Sequence, residues 1–180
     1  MKITSSQAPV RDMLYTALFS AALCVAAPLS INIGPIPLSI GTLLIYLASA
    51  TLDTKKGLMS VILYIMLGAM GLPVFSGFQG GMHKIIGPTG GFIIGYIPLA
   101  FITGVFAEIS KGKVIVLIVG MVIATVILYT CGVLWFMLQS GTSSSTAIMI
   151  CVTPFLIGDT IKITISAMIT PKFKDIIKSF

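Results

Sequence analysis

Apolar residues in this chain form long runs, and polar residues are concentrated between the runs instead of alternating with them. The six runs cover residues 13–33, 38–52, 57–72, 90–109, 114–138 and 147–170. A run of about 20 apolar residues can cross roughly 30 Å of hydrocarbon as a helix. The second and third runs are short for a full crossing, and neighbouring loop residues would have to extend them. The pattern predicts an all-α membrane protein, a compact bundle of six transmembrane helices that forms one domain over residues 1–180.

The composition also argues against a water-soluble domain. Of the 180 residues, 57% are hydrophobic and only 9% are charged, which is far less charge than a soluble domain of this size carries. The formal net charge is +6, but the basic residues lie between the apolar runs, where they orient a membrane protein. No basic patch is interleaved with aromatic residues. We therefore expect the lipid bilayer, and not nucleic acid, as a partner.

The distribution of basic residues predicts the orientation of the bundle. With six crossings, one side of the membrane receives Lys2, Arg11, Lys55, Lys56, Lys111, Lys113, Lys172, Lys174 and Lys178. The opposite side receives only Lys84. Because cytoplasmic loops carry an excess of lysine and arginine, we expect both the N and C termini in the cytoplasm.

Residues 73–89, between the third and fourth runs, form a long outer loop that is rich in glycine and apolar residues. Non-helical backbone near a membrane must bury its amides in protein or face water, and long structured loops usually carry a function. We expect this loop to fold back over the bundle as a lid. A loosely packed surface loop is the alternative, against which the apolar side chains Phe75, Phe78, Met82, Ile85 and Ile86 argue.

Two ionisable residues, Asp159 and Lys162, lie inside the sixth run. Being three residues apart, they are about 60° apart around a helix and share one face. Each costs about 2.5–3.5 kcal/mol to insert at membrane depth, so both should face the bundle interior or a wet cavity. An internal ion pair that only joins helices is one explanation, although such pairs are a poor source of stability. A site for a small polar ligand is the other, because a carboxylate accepts hydrogen bonds and an ammonium donates them.

Thr153 and Pro154 predict that the sixth run is broken. Threonine followed by proline is typical of a helix start, with an N-cap and then a position that needs no amide. The main helix should therefore begin near Pro154, which brings Asp159 close to its first turn. A helix N-terminus in the outer half of the bundle would suit an anionic or carbonyl group.

Catalysis and metal binding find little support in the chain. Cys24, Cys131 and Cys151 lie inside apolar runs without metal-ligand spacing, and His83 has no Cys, Asp or Glu near it in sequence. The phosphate-binding motif G-x-x-x-x-G-K-[ST] is missing from the sequence, so the chain cannot drive ATP-dependent transport alone. We expect no cofactor, no metal and no enzymatic activity. A small intramembrane enzyme that uses Asp159 as a base and a structural scaffold subunit are the alternatives of other classes.

Ala17 and Ala21 place small side chains four residues apart on the first helix. Such spacing lets another helix approach closely. The strip fits packing inside the bundle and docking of a partner subunit equally well.

Several motifs, in order along the chain, together resemble the BioY family. They are GAMGLPVF at residues 68–75, SGFQGG at 76–81, GPTGGF at 87–92 and PFLIGDTIK at 154–162, with GPIPLSIGTL near Pro35 and Y-x-x-G-x-x-W from Tyr129 in addition. BioY proteins are the biotin-binding S components of energy-coupling factor (ECF) transporters. The resemblance, which covers nearly the whole chain, implies a six-helix S component that binds biotin at the outer face of a bacterial cell membrane. It also implies association with a transmembrane coupling protein and two ATPase subunits.

The resemblance also suggests roles for particular residues. The family's Asp and Lys in the G-D-x-x-K motif contact biotin and correspond to Asp159 and Lys162. The family's coupling surface, an alanine strip on helix one, corresponds to Ala17 and Ala21. The predicted substrate-binding set, which includes the glycines of the lid, is Asp159, Lys162, Gln79, Gly80, Gly81, Gly90, Gly91, Phe75, Ser39 and Tyr96.

Two positions depart from the family pattern. Many relatives place a glutamine where Gly41 stands, and some place an arginine near Ile93. Without these polar groups the carboxylate end of biotin would be held differently here, with Lys84, Gln79 and the loop amides as candidates. An S component for another small vitamin is the alternative within transport.

Overall fold

The structure is a computed structural model that describes residues 8–31 and 35–179, and helices account for most of this part of the chain. In chain order the helices and strands are α1 (Ala8–Ala26), β1 (Ser30–Ile31), β2 (Leu38–Ser39), α2 (Gly41–Thr51), α3 (Thr54–Ala69), α4 (Met82–Ile86), α5 (Gly90–Ile109), α6 (Val114–Ser140), α7 (Ser144–Cys151) and α8 (Leu156–Ser179). The two short strands pair antiparallel, with Ser30 opposite Ser39. The all-helical class predicted from the sequence is therefore correct.

Two of the described helices, α5 and α6, are each long and apolar enough to cross a membrane. The pair α7 and α8 qualifies as a third crossing if the two are taken as one span bent by 49°. Helix α2 is apolar but has only 11 residues. The prediction of six crossings therefore stays a prediction.

The observed helix bounds follow the apolar runs closely at some places and depart from them at others. Helix α5 has the predicted bounds. The first run was predicted at 13–33, whereas α1 spans Ala8–Ala26 and so ends seven residues earlier, two residues before Pro28. Lys2 and Ile33, on which the predicted orientation and first span partly rest, lie outside the described residues. The predicted break in the sixth run is present as a turn at residues 152–155, so that α8 starts at Leu156.

Helices α1 and α3 are joined along a seam of small hydroxyl side chains. Ser20 Oγ lies 2.9 and 3.0 Å from the carbonyl oxygens of Thr16 and Ser60 and can donate its one proton to either, and Ser60 Oγ can donate to Thr16 O at 3.1 Å. Because serine is small, these bonds form with the two backbones close together, which is a common way to hold helices in a membrane.

Helices α5 and α6 pack together through glycines. A Cβ atom on Gly91 would lie 2.7 Å from the carbonyl oxygen of Cys131 and would also clash with Trp135. A Cβ on Gly132 would overlap the ring of Phe92. The two helices therefore approach closely at these glycines, which fixes α5 as one wall of the interior.

Charged and polar side chains from α1, α3, α5 and the residue before α3 meet at one end of the bundle, which we call the charged end. Lys56 Nζ lies 2.9 Å from Asp12 Oδ1 and 2.7 Å from Asp53 Oδ2. Glu108 Oε1 accepts hydrogen bonds from both the amide and the hydroxyl of Thr54, at 2.9 and 2.7 Å. These contacts place the start of α3 and the end of α5 at the same end as the beginning of α1.

Candidate functional site

A cavity of about 270 Å³ lies among the helices and the loops that precede α2 and α4. Its size approaches the range of small-molecule sites, about 300–1,000 Å³. Its main polar and charged lining residues are Ser39, Thr42, Gln79, Lys84, Asp159 and Lys162. Its aromatic lining residues are Tyr64, Phe75, Phe92, Tyr96, Tyr129 and Phe155. This combination of aromatic walls and a few polar groups is typical of a site for a small organic ligand.

Asp159 and Lys162 form an ion pair in the wall of the cavity. Lys162 Nζ lies 2.9 Å from Asp159 Oδ1, and the two side chains are 13% and 6% exposed. The same ammonium donates to Ser39 O at 2.8 Å and to Thr42 Oγ1 at 3.0 Å. An ammonium has three donors, so all of them are engaged and the lysine is fixed in position.

Tyr129 completes this cluster from the neighbouring helix α6. Its hydroxyl donates a 2.7 Å hydrogen bond to Asp159 Oδ2, so that each carboxylate oxygen has one partner. Asp159 also lies in the first turn of α8, where the helix dipole favours a negative charge. Each carboxylate oxygen has room for another hydrogen bond, which leaves Asp159 able to accept from a ligand.

Aromatic pairs form the apolar part of the cavity. The rings of Tyr64 and Phe75 meet edge to face with centroids 5.7 Å apart, and those of Phe92 and Phe155 stack at 6.4 Å. Aromatic pairs at these distances are favourable and hold the rings in place. They give the cavity rigid apolar surfaces next to its polar cluster.

The loop between α3 and α4 reaches the cavity through Phe75, Ser76, Gly77 and Gln79. Phe75 and Gln79 exchange backbone hydrogen bonds of 2.8 and 3.2 Å, Gly77 N donates to Pro28 O at 3.0 Å, and Gly81 N donates to Gly68 O at 2.6 Å. Gly77 and Gly81 have φ values of +74° and +95°, a conformation that glycine adopts without strain. The loop therefore has a defined structure that is held by main-chain bonds.

The apolar side chains of this loop divide between the interior of the bundle and the outer surface of the loop. Phe75 is buried, and its ring packs so closely on Gly68 that a Cβ there would overlap it. Phe78, Met82 and Ile86 are instead 64%, 54% and 59% exposed. They form an apolar outer surface of the loop.

The structure brings six of the predicted binding residues to the cavity wall: Ser39, Phe75, Gln79, Tyr96, Asp159 and Lys162. The four predicted glycines do not line it. A Cβ on Gly80 would clash with Leu72 O, one on Gly81 would lie 2.9 Å from the His83 ring, and one on Gly90 would clash with Ile85 O. Together with Gly91, they shape the chain around the cavity, and direct contact of these glycines with a ligand stays a prediction.

Three residues near the cavity were missing from the predicted set. Tyr129 and Thr42 bind the ion pair, as described above. Trp135 donates from Nε1 to Gly87 O at 2.9 Å and so holds the segment between α4 and α5. The Y-x-x-G-x-x-W pattern contained both aromatic residues, but it carried no sign of their partners.

Ala17 and Ala21 lie on α1, away from the cavity, and both are exposed. The larger side chains of Met13, Leu14, Leu18 and Val25 on the same helix are also exposed. Within residues 8–31 and 35–179, the alanine strip is therefore not packed against another part of the protein.

Within residues 8–31 and 35–179, no three His, Cys, Asp or Glu side chains are grouped so that they could hold a metal ion. His83 is exposed on α4. The chemistry of the cavity is that of hydrogen bonding and ion pairing.

Comparison with known proteins gives consistent matches over nearly the whole chain. The model of the BioY family matches residues 1–179. The chain is 36% identical over 166 residues to the biotin transporter BioY of Thermotoga maritima, covering 92% of this chain and 96% of that protein. It is 34% identical over 164 residues to a probable biotin transporter BioY of Pyrococcus horikoshii, covering 91% and 96%.

A solved structure has the same fold. The crystal structure of an S component for biotin from an ECF-type ABC transporter superposes with a TM-score of 0.88 at 25% identity, over 97% of this chain and 95% of that one. With apolar helices of crossing length and transporters as relatives, the protein is a multi-pass membrane protein. The chain belongs to the BioY family.

Proposed function

We propose that this protein is the substrate-binding subunit for biotin uptake, which captures biotin at the outer face of the membrane and delivers it together with an ATP-driven ECF module. The observation that carries the proposal is the Asp159–Lys162 ion pair in the wall of an aromatic cavity. The names of the relatives and of the structural neighbour support the choice of biotin.

The polar cluster suits the ureido ring of biotin. The two N–H groups of a ureido ring donate hydrogen bonds, and Asp159 can still accept on both oxygens. A ligand oxygen that binds Lys162 would replace Ser39 O, Thr42 Oγ1 or Asp159 Oδ1, because these three fill its donors. Ser39 and Tyr96 line the same part of the cavity, and Phe75 and Gln79 approach it from the loop.

The proposed architecture is one domain over residues 1–180 with six crossings. The proposed orientation places both termini in the cytoplasm of a bacterial cell. It is supported by the charged end of the bundle, where Lys56 and Glu108 lie, since basic residues are retained on the cytoplasmic side. The cavity then faces outward. Residues 73–89 cover it as a lid that contains Gly80 and Gly81, and Gly90 and Gly91 follow directly after it at the start of α5.

The proposed partners are a transmembrane coupling protein and two ATPase subunits. The exposed strip of Ala17 and Ala21 is the proposed docking surface, because small side chains let a partner helix approach closely. The bilayer is the remaining partner, and we propose no cofactor, metal or nucleic acid.

Calorimetry of the purified protein in detergent tests the proposal. We expect tight binding of biotin, weakened in Asp159→Asn by at least about 1.5–3 kcal/mol, the scale of a hydrogen bond to a charged group. Asp175→Asn, an acid near the other end of α8, is the matched control and should bind as the wild type does. Binding is measured well below the melting temperature of each variant, so that a loss of stability from breaking the buried ion pair does not appear as a loss of affinity.

Two other outcomes would contradict the proposal. Heat with thiamine or riboflavin but none with biotin would make the protein an S component for another small vitamin. Product formation from a small molecule by the purified chain alone would instead indicate an intramembrane enzyme that uses Asp159 as its base.

A further inference from the structure

The charges on the cavity wall do not balance. Asp159 and Lys162 neutralise each other as an ion pair. Lys84, on α4, is the remaining cationic side chain in the lining. With the tyrosines neutral, the cavity carries a net charge of +1 and is suited to a ligand with one negative charge.

No acidic side chain of the protein is placed to neutralise Lys84. The sequence contains five acidic residues, and Asp159 is already paired. Asp12 and Asp53 bind Lys56 at the charged end, Glu108 binds Thr54 there, and Asp175 is near the end of α8 far from its first turn. In the part of the chain that the structure describes, Lys84 Nζ has neither an ion-pair nor a hydrogen-bond partner.

Lys84 is held at a defined place by its backbone. Its amide donates to Gly81 O at 3.1 Å, and its carbonyl accepts from the hydroxyl of Thr89 at 3.2 Å. The side chain is half-buried. A lysine in such a position is anchored at its base, while its flexible stem lets the ammonium follow a ligand.

The backbone of α5 runs along the cavity wall from the segment that holds Lys84 to the polar cluster. Thr89 and Tyr96 both line the cavity, and Thr89 bonds Lys84 whereas Tyr96 lies beside Ser39 and Asp159. Seven residues of helix rise about 10 Å. Phe92 and Ile93 occupy the wall between them and offer only apolar surface. The cavity therefore matches a ligand with a neutral polar head, an apolar middle and an anionic end, with the backbones of Thr89 and Tyr96 about 10 Å apart along the wall.

We propose that Lys84 binds the carboxylate of the ligand and is the residue by which this protein selects a free acid over its uncharged derivatives. The inference rests on the proposed function, in which the head at Asp159 is the ureido ring and the anionic end is the carboxylate of the side chain of biotin. Partial burial strengthens the interaction of an ammonium with a carboxylate relative to bulk water.

Calorimetry with two ligands, biotin and biotinamide, measures this selection directly. The wild type should bind biotin about 10- to 100-fold more tightly than the amide, since the hydrogen bond to a charged partner is lost. Lys84→Gln should bind biotin about 10- to 100-fold more weakly and bind the amide as the wild type does. Lys84→Arg keeps the charge and should retain the preference. His83→Gln changes the neighbouring exposed residue of the same helix and should match the wild type.

Each contrary result has a separate meaning. A preference for biotin that persists in Lys84→Gln would overturn the inference and place the carboxylate elsewhere in the cavity. An equal loss for both ligands would also overturn it, because Lys84 would then act on the structure of the loop. A wild type that binds neither ligand would refute the proposed function, and the inference with it.

Discussion

The hydroxyl of Tyr129 donates a 2.7 Å hydrogen bond to Asp159 Oδ2 from a position 30 residues earlier in the chain. Lys162 holds the other oxygen of the same carboxylate. The carboxylate is thus clamped between helix α6 and its own helix α8. Its direction toward the cavity is set by this pair of bonds before any ligand arrives, which lowers the cost of ordering on binding.

Tyr129→Phe should weaken binding of biotin about tenfold, because the ring stays in place while the bond that orients Asp159 is lost. Isothermal titration calorimetry measures the change in Kd. Tyr15→Phe, a change on α1 away from the cavity lining, is the matched control and should leave Kd unaltered. An unchanged Kd in Tyr129→Phe would show that Asp159 does not depend on this bond.

Lys162→Gln should lower the free energy of unfolding by about 3–5 kcal/mol, because it leaves the charge of Asp159 buried without its partner. The double variant Asp159→Asn with Lys162→Gln removes both charges and should lose less stability than Lys162→Gln alone. Thermal unfolding in detergent, followed by the fluorescence of the single tryptophan, compares the variants. If the loss of stability in the double variant equals the sum of the losses in Lys162→Gln and in Asp159→Asn, the two side chains do not interact energetically.

Gly91→Ala should destabilise the protein by about 1–3 kcal/mol, the scale of overpacking, because the new methyl would meet the carbonyl of Cys131 and the side chain of Trp135. Gly95→Ala should cost less, since its nearest neighbour is the flexible end of Leu128 at 2.8 Å. Helix propensity favours either alanine by at most about 1 kcal/mol, so a larger difference between the variants reports packing. Equal melting temperatures would contradict the observed α5–α6 contact.

Ala17→Trp should abolish biotin transport by cells or proteoliposomes that contain the coupling subunits, while the purified variant still binds biotin. The bulky ring would block the exposed strip without reaching the cavity. Ile115→Trp, on an exposed position of α6, controls for the insertion of tryptophan into the lipid-facing surface. Transport by the Ala17 variant at the wild-type rate would exclude this strip as the docking surface.

Local features of the chain could be predicted from the sequence. The bounds of α5 follow its apolar run, the Thr153-Pro154 step marks the break before α8, and the spacing of three residues puts Asp159 and Lys162 on one face. Each of these depends on neighbours within a few turns of helix.

The remaining features depend on contacts between distant parts of the chain. The bond from Lys162 to Ser39 joins residues 123 positions apart, and Tyr129 reaches Asp159 from another helix. The early end of α1 was missed because the apolar run continues beyond Pro28, and hydropathy alone does not distinguish a helix from the strand that follows. The lid glycines were assigned to ligand contact, whereas Gly90 and Gly91 are needed where the chain passes close to Ile85 and Trp135.

The loop between α3 and α4 is attached through its main chain, by the bonds of Gly77 to Pro28, of Gly81 to Gly68, and between Phe75 and Gln79. Peptide groups are the same for every residue except proline, so these attachments do not depend on the identity of most side chains. Mutations at Gln79 of the loop, and at Lys84 on the adjoining helix α4, can therefore change the chemistry of the cavity while the loop keeps its path. This separation makes the loop an evolvable part of the protein, in which selectivity for new ligands can be acquired without rebuilding the helices.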